Sequence, residues 1–271
     1  FISFLQDVLP VLSQPFSAFE TSPNLVLKAI SHKPDFFLPF RQLAPTIIRA
    51  ESTIFSRVDR LNTTAGLFNA VAFRAVFYGS DWAREHLRWF ENYKEWQDYY
   101  KINKQPEPHY VNKGAYGAYM ANRSIEWLKG DWDKAVKAVE KGAWAAIVQK
   151  AKAGDIQALF DFLCPFTGIG KLSALLIIGD LVECGFIPMP SAEAWGALIA
   201  AIERGGQKGL VQLGLVDLVS AQSVASAFAS LHTHVLQVIP SDQLRRFRYD
   251  VITLEHAVCK YSRALKYNYI R

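Results

Sequence analysis

Apolar residues recur along this chain mostly three and four positions apart, the spacing that lines one face of an α-helix. Strict apolar–polar alternation, the mark of a half-buried strand, is scarcely found. The pattern predicts helices over 47–60, 63–78, 81–100, 114–129, 131–153, 156–163, 171–184, 192–204, 215–230 and 241–267. Asp81 and Asp155 stand where helix N-caps are expected. Loops are predicted at 22–24 and 34–39. The polar, proline-bearing stretch 101–112 is the clearest connector, and Gly185 to Pro190 forms a second break. No internal repeat and no low-complexity tract is visible. The fold class read from this is all-α.

Composition narrows the class. The chain has 271 residues, 51% hydrophobic and 20% charged, which is enough apolar material for a core and excludes a disordered chain. Three cysteines, Cys164, Cys184 and Cys259, lie far apart. An odd count without paired spacing argues against a disulfide framework, a zinc site or a four-cysteine iron–sulfur cluster. It points to an intracellular, reducing compartment, and no cofactor is called for. The apolar opening Phe1 to Phe16 contains Asp7 and Pro10 and has no basic leader, so it does not read as a signal peptide. No run approaches the roughly twenty apolar residues a membrane span needs.

Charge adds a local feature. The net charge is +5, and residues 241–271 hold seven Lys/Arg against three acids. Arg245, Arg246 and Arg248 are placed by the pattern at the opening of the last helix, where the helix dipole prefers acids. An anionic partner explains that placement, and a solvated face is the alternative.

The most informative stretch is Phe166-Thr-Gly-Ile-Gly-Lys-Leu-Ser-Ala174, between two helical runs. Gly168 and Gly170 allow a tight turn with outward amides. Ile169 between them can plug the turn into the core. The amides open a helix whose dipole favours phosphate, and Lys171 adds a cation. An ordinary helical corner with a glycine cap is the plainer reading.

This stretch resembles the helix-hairpin-helix motif, which grips a DNA backbone without reading sequence, and in particular the hairpin of helix-hairpin-helix DNA glycosylases. Where the bifunctional members of that family carry a lysine nucleophile, this chain has Leu172, so the resemblance implies no lysine-dependent lyase. Counting to the family's catalytic aspartate leads near Pro190, and Glu193 is the nearest carboxylate. Glu193 is equally a first-turn acid suited to its helix dipole.

A second resemblance spans roughly residues 50–265. Leu67-Phe-Asn-Ala-Val-Ala-Phe-Arg74, Asn112-Lys-Gly-Ala-Tyr116, Asp180 with the hairpin, and Leu254-Glu-His-Ala-Val-Cys-Lys-Tyr-Ser-Arg263 occur in order. They are similar to segments of the alpha-glutamyl/putrescinyl-thymine pyrophosphorylase-like proteins, kin of the helical domain of 5-hydroxymethyluridine DNA kinases. That group's proline-glycine-alanine element after the hairpin is not found here. The resemblance implies a glycosylase-like helical fold and a partner of double-stranded DNA carrying modified pyrimidines. It also suggests two parts within one composite unit: an N-terminal helical part, 1–110, and a hairpin part with the basic C-terminal helix, 111–271.

Residue roles follow with their alternatives. Asn69 and Arg74 line a nucleotide pocket, or else make an interhelical hydrogen bond. Asp180, in an apolar helix, is too costly to bury alone and needs a cation, for which Lys260 and Arg263 are the nominees. It is then a general base, a cation stabiliser or half of a structural ion pair. Glu255, His256, Lys260, Tyr261 and Arg263 complete the proposed base pocket. Glu255 and His256, being adjacent, point apart and form no dyad. Trp82, Trp89, Tyr93, Trp96 and Tyr100 make a stripe that is a core face before it is a stacking platform. His232 and His234 lack further metal ligands, and Gly205 to Gly209 reads as a flexible turn without phosphate-loop spacing. The sequence reading is a DNA-binding protein acting on a modified pyrimidine, as a glycosylase with Asp180 or Glu193 assisting. A non-catalytic binder, or an enzyme remodelling the base in place, are the alternatives.

Overall fold

The computed structural model describes residues 1–111 and 124–270, and no strand occurs among them. The helices run in the order α1 Ile2–Val8, α2 Leu25–His32, α3 Pro34–Phe37, α4 Pro45–Ala50, α5 Thr64–Ala72, α6 Asp81–Glu85, α7 Tyr93–Asn103 and α8 Glu107–Tyr110. They continue with α9 Trp127–Glu140, α10 Ala143–Lys152, α11 Ile156–Leu163, α12 Lys171–Glu183, α13 Ala192–Ile202, α14 Gly206–Gln212, α15 Ala221–Val238, α16 Ser241–Arg246 and α17 Val251–Lys266. Glu51–Phe55 and Phe73–Phe77 are π-helical turns that extend α4 and α5. The chain is all-α.

It forms two compact units, Pro45–Met189 and the pairing of Phe1–Ala44 with Pro190–Arg271. The units therefore divide at 44/45 and 189/190, not at 110/111. The physical reason is that the segment 34–43 packs on α17, which joins the chain's opening to its end.

In the 45–189 unit α12 is the central rod. Every residue from Ser173 to Val182 is buried, so the helix is enclosed on all sides. The turn before it and the N-cap of α11, where Asp155 accepts the Ala158 amide, follow the predicted boundaries closely. The predicted 81–100 helix is instead two helices. Asn92 accepts the Glu95 amide and starts α7 afresh, leaving 86–92 irregular. The break lets both pieces turn rings into one cluster: Trp82 and Trp96 are buried with centroids 5.6 Å apart, and Trp82 Nε1 donates to Tyr99 Oη at 3.0 Å, while Trp89, between the pieces, is buried beneath Arg57 and Arg60. The stripe is core. Gly142, in a left-handed conformation, splits the predicted 131–153 helix into α9 and α10. The helix predicted at 114–129 falls largely outside the described residues.

In the other unit α13 packs on α15 and α14 on α17. The helix predicted at 215–230 starts later, at a capping box of Ser220 and Ser223. Residues 34–37, predicted as loop, form a helical turn with Pro34 at its start. Gly205 to Gly209 is no flexible turn: it opens α14, and a Cβ on Gly209 would lie 2.6 Å from the Val258 carbonyl oxygen. That contact sets how closely α14 approaches α17. Gly209→Ala should lower the thermal midpoint by several degrees, as overpacking of about 1–3 kcal/mol implies; a melting curve indistinguishable from wild type would contradict the contact.

Candidate functional site

The hairpin joins α11 to α12. Gly168 is left-handed (φ +74°), a conformation that favours glycine, and a side chain there would run into the Trp127 indole. Ile169 is buried between the two glycines, its amide donating to the Phe166 carbonyl at 3.1 Å. Gly170 is extended and caps α12, with open space where a side chain would stand. Lys171 is exposed at the first position of α12. The amides of Gly168, Gly170, Lys171 and Leu172 donate to no protein acceptor among the described residues. The turn thus carries unspent N–H groups, a helix N-terminus and a cation together.

One face of α9 backs this turn. Trp127 lies under Gly168, and Gly130 passes close to Thr167. The Asp131 carboxylate accepts the Thr167 amide at 2.7 Å. Lys134 Nζ donates to the Pro165 carbonyl at 2.6 Å and to Thr167 Oγ1 at 3.1 Å. Positions 127, 130, 131 and 134 are one helical stripe. Asp131 is fully buried, and its second oxygen has no hydrogen-bond partner among the described residues. Burial pushes its carboxyl up to about 6, against the pull of the Thr167 amide and the Lys134 charge. The sequence pattern does not reveal these bracing residues, because it breaks at Gly130, whereas α9 runs unbroken from Trp127 to Glu140.

Asp180 is paired, and its partner is Arg74 rather than Lys260 or Arg263. Arg74 Nε and Nη2 donate to its two oxygens, each at 2.6 Å, with both side chains almost wholly buried. The guanidinium also lies over the Phe73 and Tyr78 rings, 5.0 and 4.5 Å from their centroids. A carboxylate held on both oxygens by a guanidinium is not placed to take a proton from water. Asn69 is likewise committed. Its amide donates to the Ala65 and Phe90 carbonyls and accepts the Phe90 N–H, so it ties α5 to the 86–92 segment instead of facing a nucleotide.

The C-terminal candidates belong to the other unit and serve α17's packing. Lys260 Nζ donates to the Asp35 and Phe36 carbonyls at 3.2 and 2.8 Å. Arg263 donates to the Phe36 carbonyl and lies 3.8 Å over the Phe36 ring. Together they close the end of α3, as cations at a helix C-terminus do. Glu255 is buried, sits against Gly206 and takes its N–H. Burial pushes its carboxyl up to about 7, opposed by Arg41 and Lys260. Burial, helped by Arg263, brings the Lys260 ammonium down to about 7. His256 is buried, and Tyr261 is half-buried edge-on to Phe1 and Phe4. Of these side chains Tyr261 lines an open cavity, together with Phe1, Phe4 and Tyr269.

Arg245, Arg246 and Arg248 do not open the last helix. Arg245 and Arg246 end α16, where the dipole favours cations, and Arg248 lies in the left-handed turn before α17, whose cap is Asp250. All three are exposed. At the end of α16 the two arginines complement the helix dipole, so their placement needs no anion to explain it. Glu193 is an exposed first-turn acid of α13, its carboxyl lowered by its own backbone N–H and the Ser191 hydroxyl. His232 sits within α15, its Nδ1 3.0 Å from Tyr249 Oη. No group of three His, Cys, Asp or Glu among the described residues is arranged for a metal, and no helix among them is long and apolar enough to cross a membrane. Asn112 to Tyr116 lies outside the described residues.

Compared with protein-family models, curated proteins and solved structures, the chain matches none.

Two stability measurements check this geometry. Asp180→Asn should cost about 3–5 kcal/mol in urea unfolding, since it strands a buried guanidinium, whereas Arg74→Met with Asp180→Leu should recover much of that loss. Equal losses in both would contradict a closed pair. At Asp131 the native carboxyl binds its proton more tightly than an unfolded aspartate, so stability falls as pH rises from about 4 through 6. Asp131→Asn should therefore gain over wild type with rising pH, to on the order of 3 kcal/mol by pH 7. A pH-independent difference would contradict it.

Proposed function

We propose that this chain binds double-stranded DNA by its phosphate backbone, through the hairpin between α11 and α12. The observation that carries the reading is the set of unspent amides at Gly168, Gly170 and Lys171, beside the exposed Lys171 ammonium, on a turn braced from behind by α9. Amides and a cation at the start of a thirteen-residue helix suit a phosphate oxygen, and contacts of this kind position a protein on DNA without reading its sequence. The helix-hairpin-helix arrangement of a glycosylase-like fold is part of this proposal. So is the resemblance to proteins acting on modified pyrimidines, which makes a duplex carrying such bases the partner to try first.

The geometry favours binding over base excision. The base-flipping chemistry implied by the resemblance needs a free carboxylate near the sugar. Asp180 has both oxygens on Arg74, Glu193 is an exposed helix-start acid, and Glu255 holds the N-terminus of α14. Incubation with duplex bearing modified pyrimidines should yield neither free base nor altered nucleoside by mass spectrometry; release of a base would restore the glycosylase reading.

Lys171→Glu should weaken duplex binding several-fold in fluorescence anisotropy and reduce the slope of log affinity against log salt by about one. An unchanged slope would contradict the hairpin as the contact.

A further inference from the structure

The carboxylate behind the hairpin is more than the loop needs. Thr167 requires an acceptor for its amide, and an asparagine oxygen at position 131 would serve without burying a charge. Asp131 supplies a full negative charge instead, in a wholly buried place, with one oxygen unpartnered among the described residues. The next amide along the chain, that of Gly168, is one of the unspent groups to which a phosphate is assigned above. From the 2.7 Å bond between Asp131 and Thr167, one residue of chain and one hydrogen bond, such a phosphate would sit within about 9 Å of the carboxylate. Two like charges at that distance across a partly buried turn repel appreciably.

We propose that Asp131 is an acidic brake on the hairpin: its charge opposes the DNA phosphate held by the neighbouring amides, and uptake of a proton at this carboxylate tightens the grip. The inference rests on the DNA-binding reading. The groups facing Asp131 are few. From α9 itself Lys134 is the charged neighbour, its ammonium already spent on the Pro165 carbonyl and the Thr167 hydroxyl. From the loop come the Thr167 N–H and hydroxyl; no other titratable group among the described residues is a resolved influence on it. Burial holds the carboxyl near enough to neutrality for modest acidification to reach it. By linkage, a bound phosphate raises the proton affinity of Asp131, and the proton returns the favour to the phosphate by the same factor.

Duplex affinity of wild type and Asp131→Asn, followed from pH 7.5 to 5.5 at constant salt, tests this. Wild type should tighten about five- to tenfold more than the variant over that range, and the variant should bind tighter than wild type by the same factor at pH 7.5. Groups titrating elsewhere cancel in the comparison. An equal pH response in the two proteins overturns the brake. A second measurement uses wild type alone: the Thr167 amide resonance should titrate with Asp131, and its midpoint should rise when the duplex is added. A midpoint unmoved by saturating duplex also overturns it. If binding depends on Lys171 while either result fails, only the brake falls; if no Lys171-dependent binding exists, the DNA reading falls and the brake with it.

Discussion

The ion pair between Arg74 and Asp180 is the constraint around which the 45–189 unit is arranged. Two charges are taken almost wholly out of water, and that is tolerable only where both guanidinium bonds stay short and aligned. Arg74 stands in the π-helical turn that extends α5, and Asp180 stands in α12, so the pair fixes the register of one element against the other. A slip of either would leave a buried charge exposed to hydrocarbon. Because α12 is enclosed along nearly its whole length, that register also fixes where the helix begins, and it begins at the hairpin.

A second layer of polar contacts acts on the turn itself. Asp131 and Lys134 take the inward-facing groups at Pro165 and Thr167, and Trp127 occupies the space that a side chain at position 168 would need. What remains without a protein acceptor among the described residues is backbone N–H at Gly168, Gly170 and Lys171, beside the exposed lysine side chain. In the proposed DNA-binding role, a turn braced in this way would lose little freedom on taking up a phosphate. The other unit uses its buried charges differently. Lys260 and Arg263 close α3, and Glu255 caps α14, so three side chains that look like site chemistry are the fastenings of α17.

The all-helical class was legible because apolar spacing alone determines it, and the α11–turn–α12 corner was legible because Asp155, Gly168 and Gly170 act locally. The boundaries that moved are those where a cap or a left-handed residue overrides a continuous periodic pattern: Asn92, Gly142 and Arg248. Arg245 and Arg246 show the consequence, since the break at 247–250 that follows them turns a helix start into a helix end. Asp180 was legible as a buried acid in need of a cation, but its partner was not. Arg74 lies more than a hundred residues away, and only tertiary packing selects it over other cations. The α9 brace was not legible: the pattern breaks at Gly130, inside what is one helix, and nothing local tells which loop a helix face will meet.

Amide chemical shifts followed while a short duplex is titrated into the protein test the central claim most directly. The account predicts progressive, saturable shifts at Gly168, Gly170 and Lys171, with Asn69 and the α17 residues Glu255 and Lys260 unmoved. Shifts confined to residues elsewhere, or none at a duplex concentration that saturates binding by anisotropy, would contradict it.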